Sequence, residues 1–365
     1  RLHAVGPLVG AKLAKRPALI KFGRGGKQFD IDTVRNKRLL GPQFAALIRK
    51  LTTGFVANSA QMIEDVKRHG IEAARVHAIP NGVIMPEMDG GAEKSSAAST
   101  FLFMGRLDRE KAIDTMLRAI AGLGEDTPAR LMLAGDGPRE AELKALAEEL
   151  KVTGRVEFLG RMDDVTPALR SSDFYLSTSL SEGMSNSMLE AMSFGVVPVV
   201  TRVSGVDDMV SDGTNGYLFE AGDVSSCVEA LKRAVATSAE DYAAMSAAAR
   251  ETLAERFSME SVVERHMKLY YTLPGIRTPQ NLCPPRPPEE NFSPLSGSPD
   301  MTMTNRNEAA PQKPVPGSEG LPPRAFILNC FGRGGSNIVW NMIASSPDVL
   351  LPSREWHQGV FGKHT

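Results

Sequence analysis

Cysteine is scarce in these 365 residues: Cys227, Cys283 and Cys330 lie far apart, so neither a disulfide framework nor a metal-ligand spacing is visible and reduced thiols are expected. The six histidines form no H-x3-H or comparable ligand pattern, so no metal site is expected. Aromatic residues make up only 6% of the chain, and none interleaves with the basic residues as a stacking platform for bases would require, which argues against nucleic acid as a partner. No apolar run reaches the ~18 residues of a membrane span, and no signal peptide opens the chain. A cytoplasmic location is the resulting expectation. Net charge is only -1, but it is unevenly spread. Residues 1–50 hold 12 Lys and Arg against Asp30 and Asp32, and the remainder is correspondingly acidic. That asymmetry suggests an anionic partner, either a lipid-phosphate acceptor or the inner face of an acidic membrane touched peripherally; a solvated basic face is the plainer alternative.

What is present is enough for about two domains, with 42% hydrophobic residues to build their cores. The chain begins at Arg1 in what reads as the middle of a domain, so residues 1–84 are expected to be the later half of a truncated first domain. Within it the pattern predicts helices over 8–14, 44–51 and 60–69 and strands over 18–22 and 54–57. From residue 100 onward apolar strands near 101–104, 130–134, 156–159, 174–178 and 197–200 alternate with amphipathic stretches, which implies a parallel sheet. Further helices are expected over 224–236, 239–255 and 259–271, closing a second domain at 85–273. Residues 274–323 hold 13 of the 24 prolines and lack the aliphatic clusters needed for a core, so they read as a disordered linker.

The most informative stretch is Ser181-Glu-Gly-Met-Ser-Asn-Ser-Met-Leu-Glu190, which plants two carboxylates, Glu182 and Glu190, eight apart between two strands. Carboxylates accept strongly from sugar and ribose hydroxyls, while the start of the intervening helix favours a phosphate. The stretch resembles the E-x7-E signature of the family-4 retaining glycosyltransferases, and the resemblance covers roughly residues 1–273. Phe101-Leu-Phe-Met-Gly-Arg-Leu-Asp-Arg-Glu-Lys111 resembles that family's strand followed by G-R-x4-K. Leu131-Met-Leu-Ala-Gly-Asp-Gly-Pro138, Val156-Glu-Phe-Leu-Gly160 and Asn215-Gly-Tyr-Leu-Phe219 resemble its further motifs, in order.

The resemblance implies an α/β protein of GT-B type: a Rossmann-like second domain that binds the nucleotide sugar, a partial Rossmann-like acceptor-side domain before it, and a last helix that returns to the first domain. It implies transfer of a sugar from a nucleotide diphosphate sugar to a hydroxyl of a glycan or lipid-linked acceptor, with retention and no tightly bound cofactor. Arg106 and Lys111 would then stabilise the departing diphosphate, and Glu182 would hold the donor sugar. Gly105, Gly135, Asp136, Gly137, Arg161, Met162, Gly183, Met184, Ser185, Asn186 and Glu190 would complete the donor site, Glu190 on the ribose. The family's usual histidine after the first-domain strand is absent from Leu19-Ile-Lys-Phe-Gly-Arg-Gly-Gly26, leaving Lys21 and residues 25–27 as candidate contacts. Ala112 replaces a usual glycine, a mild change if the helix begins there. The alternatives are a nucleotide-sugar-binding pseudoenzyme or inactive fragment, and another GT-B activity such as a phosphorylase or a sugar-nucleotide epimerase.

Residues 324–365 read as a strand, a Gly-rich turn and a helix start, an arrangement that cradles phosphates. The turn lacks the ending of an ordinary P-loop and resembles the phosphosulfate loop of sulfotransferases, with Arg333, Gly334, Gly335, Ser336 and Asn337 in the loop and Glu355 as a candidate base. The resemblance implies the start of a sulfotransferase-like domain that would use 3'-phosphoadenylyl sulfate. A glycan that is built and then sulfated, in polysaccharide or glycolipid synthesis, is the corresponding expectation.

Overall fold

The computed structural model describes residues 5–23, 29–38, 40–87, 94, 98–203 and 205–273, and the backbone of 326–328. The chain forms two parallel sheets. The first contains β1 (Ala18–Lys21), β2 (Gly54–Ala57) and β3 (Val76–Ala78), with helices α1 (Val5–Leu13), α2 (Asp30–Arg35), α3 (Gly41–Leu51) and α4 (Ala60–Arg68). The second contains β4 (Ser99–Met104), β5 (Ala129–Ala134), β6 (Val156–Gly160), β7 (Phe174–Ser177), β8 (Val197–Thr201) and β9 (Tyr217–Phe219). Its helices are α5 (Ile113–Gly122), α6 (Glu140–Glu149), α7 (Thr166–Arg170), α8 (Asn186–Ser193), α9 (Val224–Ala236), α10 (Ala239–Arg256) and α11 (Met259–Thr272). A last strand, β10 (Phe326–Leu328), pairs in parallel with β1 and makes the first sheet's order β10-β1-β2-β3.

The second sheet runs β6-β5-β4-β7-β8-β9. Alternate strand residues divide between two cores: Phe101, Phe103, Leu131, Leu133, Phe174 and Leu176 face α5, α6 and α9, while Leu102, Met104, Met132, Tyr175 and Val200 face α8 and α10. Both faces are therefore covered, which is why these strands read as continuous apolar runs rather than alternating ones. Serine and aspartate supply the helix starts: Ser59, Ser185, Asp223, Ser238 and Ser258 each accept a backbone N–H from the first turn of the following helix, a contribution of ~1 kcal/mol apiece.

The second domain returns to the first through α11. Val262 and Leu269 of that helix, with Leu273 beyond it, pack on Leu19, Val56 and Ile79, as the resemblance implied. At the crossing, Val83 N–H donates to the Phe257 carbonyl and Met259 N–H to the Val83 carbonyl, both at 2.9 Å, so outgoing and returning chains run side by side.

Most anticipated elements stand within a few residues of their expected bounds. Two were not anticipated. Helix α2 is only six residues long with no side-chain cap, and β9 is only three, both too short for periodicity to register. The expected linker at 274–323 lies outside the described residues, as do Arg333, Gly334, Gly335, Ser336, Asn337 and Glu355.

Candidate active site

Strand order locates the crevice. From β4 the chain winds outward to β5 and β6, then restarts at β7 on the other side of β4 and winds outward to β8 and β9. The connections leaving β4 and β7 diverge above the sheet, and in open parallel sheets such a switch point is where ligands collect.

Lys111 stands at the end of a single 3₁₀ turn, Arg109–Lys111. The Asp108 carboxylate accepts from Glu110 N–H at 3.0 Å and Lys111 N–H at 3.3 Å. Across the switch point, the Thr178 hydroxyl lies 2.9 Å from the carbonyls of both Lys111 and Ala112. Leu180 N–H donates to the Glu110 carbonyl at 2.9 Å. These bonds lace the β4 exit to the β7 exit and bring two side chains together: Lys111 Nζ donates to Glu182 Oε1, and the Ser179 hydroxyl donates to the same oxygen at 3.0 Å. Burial alone would pull the Lys111 ammonium down, but the Glu182 carboxylate, with smaller help from Tyr175 and Asp108, holds it above the ordinary lysine range.

Arg106 leaves the end of β4 largely exposed, its guanidinium 3.9 Å from Asp108, so little competes for its charge. Glycines shape the floor beneath it. A Cβ on Gly135 would stand 1.8 Å from the Gly105 carbonyl oxygen, and one on Gly137 2.3 Å from that of Leu107. Leu107 N–H donates to the carbonyl of exposed Asp136 at 2.8 Å. The β4 and β5 exits are thus in backbone contact at Gly135 and Gly137.

The signature loop itself touches the first domain. A Cβ on Gly183 would lie 2.7 Å from the Gly23 carbonyl oxygen. Asn81 donates from its side chain to Asn186 Oδ1 at 2.8 Å, and its N–H points at the Met184 sulfur at 3.2 Å. Ser185 is committed to starting α8, accepting from Met188 N–H at 3.3 Å, and it also lies near the Tyr175 hydroxyl, which meets Ser187 at 2.8 Å. Beneath the crevice, burial pushes the Tyr175 hydroxyl above its ordinary range.

Glu190 lies in the second turn of α8 and is exposed, yet the protein around it desolvates its carboxyl enough to raise it above the ordinary range. It forms no ion pair among the described residues. Arg161 is exposed beyond β6, and Met162 packs against the core facing α8. The structure therefore joins Lys111 directly to Glu182 and brings Gly105, Gly135 and Gly137 together at the β4 and β5 exits, while Arg106 and Glu190 form no hydrogen bond or ion pair with the Lys111–Glu182 pair among the described residues. Lys21 ends β1, enclosed enough that burial lowers its ammonium to about 8; residues 25–27 lie outside the described residues. Helix α5 does begin at Ala112, its N-cap, but that residue adopts φ 45° and ψ 46°, the left-handed conformation, so the loss of the usual glycine is not the mild change expected; the Ala112 and Lys111 carbonyls both accept from the Thr178 hydroxyl. Asn81 and Tyr175 were not anticipated; the Pro-Asn-Gly sequence at 80–82 marks a turn but not the loop it would touch.

Residues 87–252 match the family model described as glycosyl transferases group 1. N-acetyl-alpha-D-glucosaminyl L-malate synthase of Bacillus anthracis is 30% identical over 177 residues, 48% of this chain and 46% of that protein. Lipopolysaccharide core biosynthesis glycosyltransferase LpsE of Rhizobium meliloti is 32% identical over 177 residues, covering 48% of this chain and 51% of the relative. The chain spans about half the length of these curated relatives. Among solved structures, Anabaena HepE in complex with UDP superposes with a TM-score of 0.63 at 20% identity, over 74% of this chain and 76% of that one, a likeness of fold. Residues 87–252 thus match the glycosyltransferase group 1 model, and the two parallel α/β sheets share the fold of GT-B structural neighbours.

Proposed function

We propose that the chain transfers a sugar, with retention, from a nucleotide diphosphate sugar to an acceptor hydroxyl. The contact of Lys111 with Glu182 at the switch point carries this reading, because it sets a cation and a sugar-binding carboxylate on one crevice. Crystals of the neighbour HepE hold UDP, and in another case UDP and glucose, which makes UDP-sugars the first donors to test.

In the proposed step the bond from the anomeric carbon to the diphosphate oxygen breaks and its electron pair leaves with the diphosphate. The acceptor oxygen bonds to the anomeric carbon from the same face and passes its proton to the departing diphosphate oxygen. Lys111 and Arg106 counter the charge that develops on the diphosphate. Glu182 accepts from sugar hydroxyls and Glu190 from the ribose, while Gly183 lets the backbone approach the ligand. Gly105, Gly135 and Gly137 keep the crevice floor low, with Asp136, Arg161, Met162, Met184, Ser185 and Asn186 around the donor. Lys21 of the first domain is the candidate contact from the opposite wall.

The acceptor is proposed to be a glycan or lipid-linked sugar, with peripheral membrane contact through the basic residues of 1–50 at the cytoplasmic face. A polysaccharide pathway with sulfation on the same polypeptide is proposed from the motif at 333–337 alone. A second reading, donor binding without turnover, draws on the neutralisation of Lys111 by Glu182. The experiment is to measure nucleotide diphosphate release from UDP-sugars, GDP-sugars and ADP-sugars with and without acceptor. Acceptor-dependent release of one nucleotide is expected. Tight donor binding with no release would favour the second reading, and equal release without acceptor would argue for another GT-B activity.

A further inference from the structure

Beneath the switch point lies a group of buried hydroxyls. Ser177 ends β7, Thr178 and Ser179 follow it, and Thr201 ends the neighbouring β8; all four are buried. A buried hydroxyl is costly unless it is bonded, and two of the four have structural employment. Thr178 holds the carbonyls of Lys111 and Ala112, and Thr201 donates to the Ser179 carbonyl at 2.8 Å. The other two, Ser177 and Ser179, have hydroxyls 3.1 Å apart and lead to Glu182.

Each serine hydroxyl has one proton to give. Ser179 gives its proton to Glu182 Oε1 at 3.0 Å, so the bond between the serines must run from Ser177 to Ser179. Hydrogen bonds aligned in one direction polarise one another, and this pair ends on a carboxylate. Lys111 Nζ donates to the same oxygen. Glu182 Oε2, by contrast, accepts from nothing among the described residues, and it is not sealed from solvent. The carboxylate is therefore asymmetric: one oxygen is taken twice and the other is open to a ligand.

We infer that Ser179, backed by Ser177, is a positioning residue that fixes Glu182 by its Oε1 so that Oε2 alone receives the donor sugar. The inference rests on the donor-sugar role proposed for Glu182. In that role the Lys111 ammonium has two partners to serve, the carboxylate and the departing diphosphate. Once it turns to the diphosphate, Ser179 is the remaining hold on Oε1. A carboxylate tethered by the lysine alone would lose its orientation as the bond to the sugar breaks. The serine pair, enclosed in the sheet and carrying no charge, keeps that orientation throughout.

The test is calorimetric titration of the parent, Ser179→Ala, Ser177→Ala and the double variant Ser177→Ala/Ser179→Ala, with thermal melts of the same preparations. The probes are UDP-glucose, GDP-mannose and ADP-glucose, each beside its free nucleotide diphosphate. For the sugar nucleotide that the parent binds, Ser179→Ala should weaken binding by about tenfold. Ser177→Ala, which removes only the support behind Ser179, should weaken it by about two- to threefold. Binding of the free diphosphate should stay unchanged in every variant, because only the sugar reaches Glu182. Ser179→Ala also leaves the Ser177 hydroxyl without a partner, and the double variant removes that group. The double variant should therefore melt no lower than Ser179→Ala and still bind the sugar nucleotide as weakly. The inference is overturned if Ser179→Ala binds like the parent, if the free diphosphate weakens equally, or if the double variant recovers the lost affinity. Those three results leave the donor reading standing, since the parent still binds. A parent that binds none of the six compounds overturns the donor reading and the inference together.

Discussion

Lys111 Nζ donates to Glu182 Oε1 although 71 residues separate them in sequence, and their meeting depends on the Thr178 hydroxyl drawing the β4 exit against the β7 exit. Replacing Lys111 by Ala removes the cation proposed for the diphosphate and should lower turnover by ~10²-fold or more. Glu182→Gln should raise the donor KM more than it lowers turnover. The pair is also half-buried, so each single change strands its partner. Thermal melts should show the double variant less destabilised than the sum of the singles.

The floor of the crevice tolerates no side chain. At Gly135, φ is 148° and a Cβ would collide with the Gly105 carbonyl, a group fixed by its own strand. Gly135→Ala should therefore destabilise the second domain by ~3 kcal/mol through strain and displaced backbone. Urea unfolding at pH 7 measures this directly; a change under ~0.5 kcal/mol would mean that the β4 and β5 exits can part freely.

Much of this could be read beforehand, for reasons that differ between elements. Strands such as 101–104 and 174–178 are buried on both faces and so announce themselves by composition, and β7 and β8 bracket the E-x7-E loop without help from tertiary information. The pairing of Lys111 with Glu182 was not legible in the same way. Residue types and order place both at one sheet edge, but only the hydrogen bonds of Thr178 and Leu180 decide that they touch. Asn81 illustrates the same limit, since its partners at 184 and 186 belong to the other domain. The conformation of Ala112 is beyond pattern reading because a residue with no glycine signal is forced there by its neighbours.

Asn81 offers a test of the domain contact. Its side chain donates to Asn186 Oδ1 at 2.8 Å, holding the start of α8 against the hinge. Asn81→Ala should cost ~1 kcal/mol of stability and raise the donor KM, with turnover at saturating donor little changed. Steady-state kinetics separates these effects: a fall in kcat with unchanged KM would contradict a positioning role.

Stability should fall on the acid side of neutrality through His266. The ring is buried between α11 and the first sheet, its Nδ1 bonded to the Val262 carbonyl at 2.9 Å. Burial, and then the nearby Lys21 ammonium, push it down to about 4. The unfolded chain takes up this proton near pH 6.5 and the folded chain only near 4, so stability present above 6.5 is lost as pH falls through that window. The loss should approach about 3 kcal/mol. His266→Gln should flatten the profile, measured by urea unfolding between pH 4 and 7. Lys21→Met removes the desolvated ammonium and should stabilise the fold at pH 7 by about 1–3 kcal/mol, while lowering turnover if Lys21 reaches the donor.

Ala112 reverses the usual rule for glycine. In most positions replacing Ala by Gly loosens the unfolded chain and costs stability. Here Ala112 holds φ 45°, where an L side chain crowds the following carbonyl at a cost of ~1–2 kcal/mol. Glycine pays no such penalty, so Ala112→Gly should stabilise the protein by ~0.5–1 kcal/mol, the entropy of the unfolded chain offsetting part of the gain. The orientation of the Lys111 and Ala112 carbonyls toward Thr178 should persist, and the Lys111 contact with Glu182 with it. Activity should accordingly stay within about twofold of the parent, because the carbonyl contacts that set the position of Lys111 are kept. Thermal melting and nucleotide release on the same preparation check both parts. A destabilised Ala112→Gly variant would show that the left-handed turn is absent in solution and that Thr178 does not set the position of Lys111.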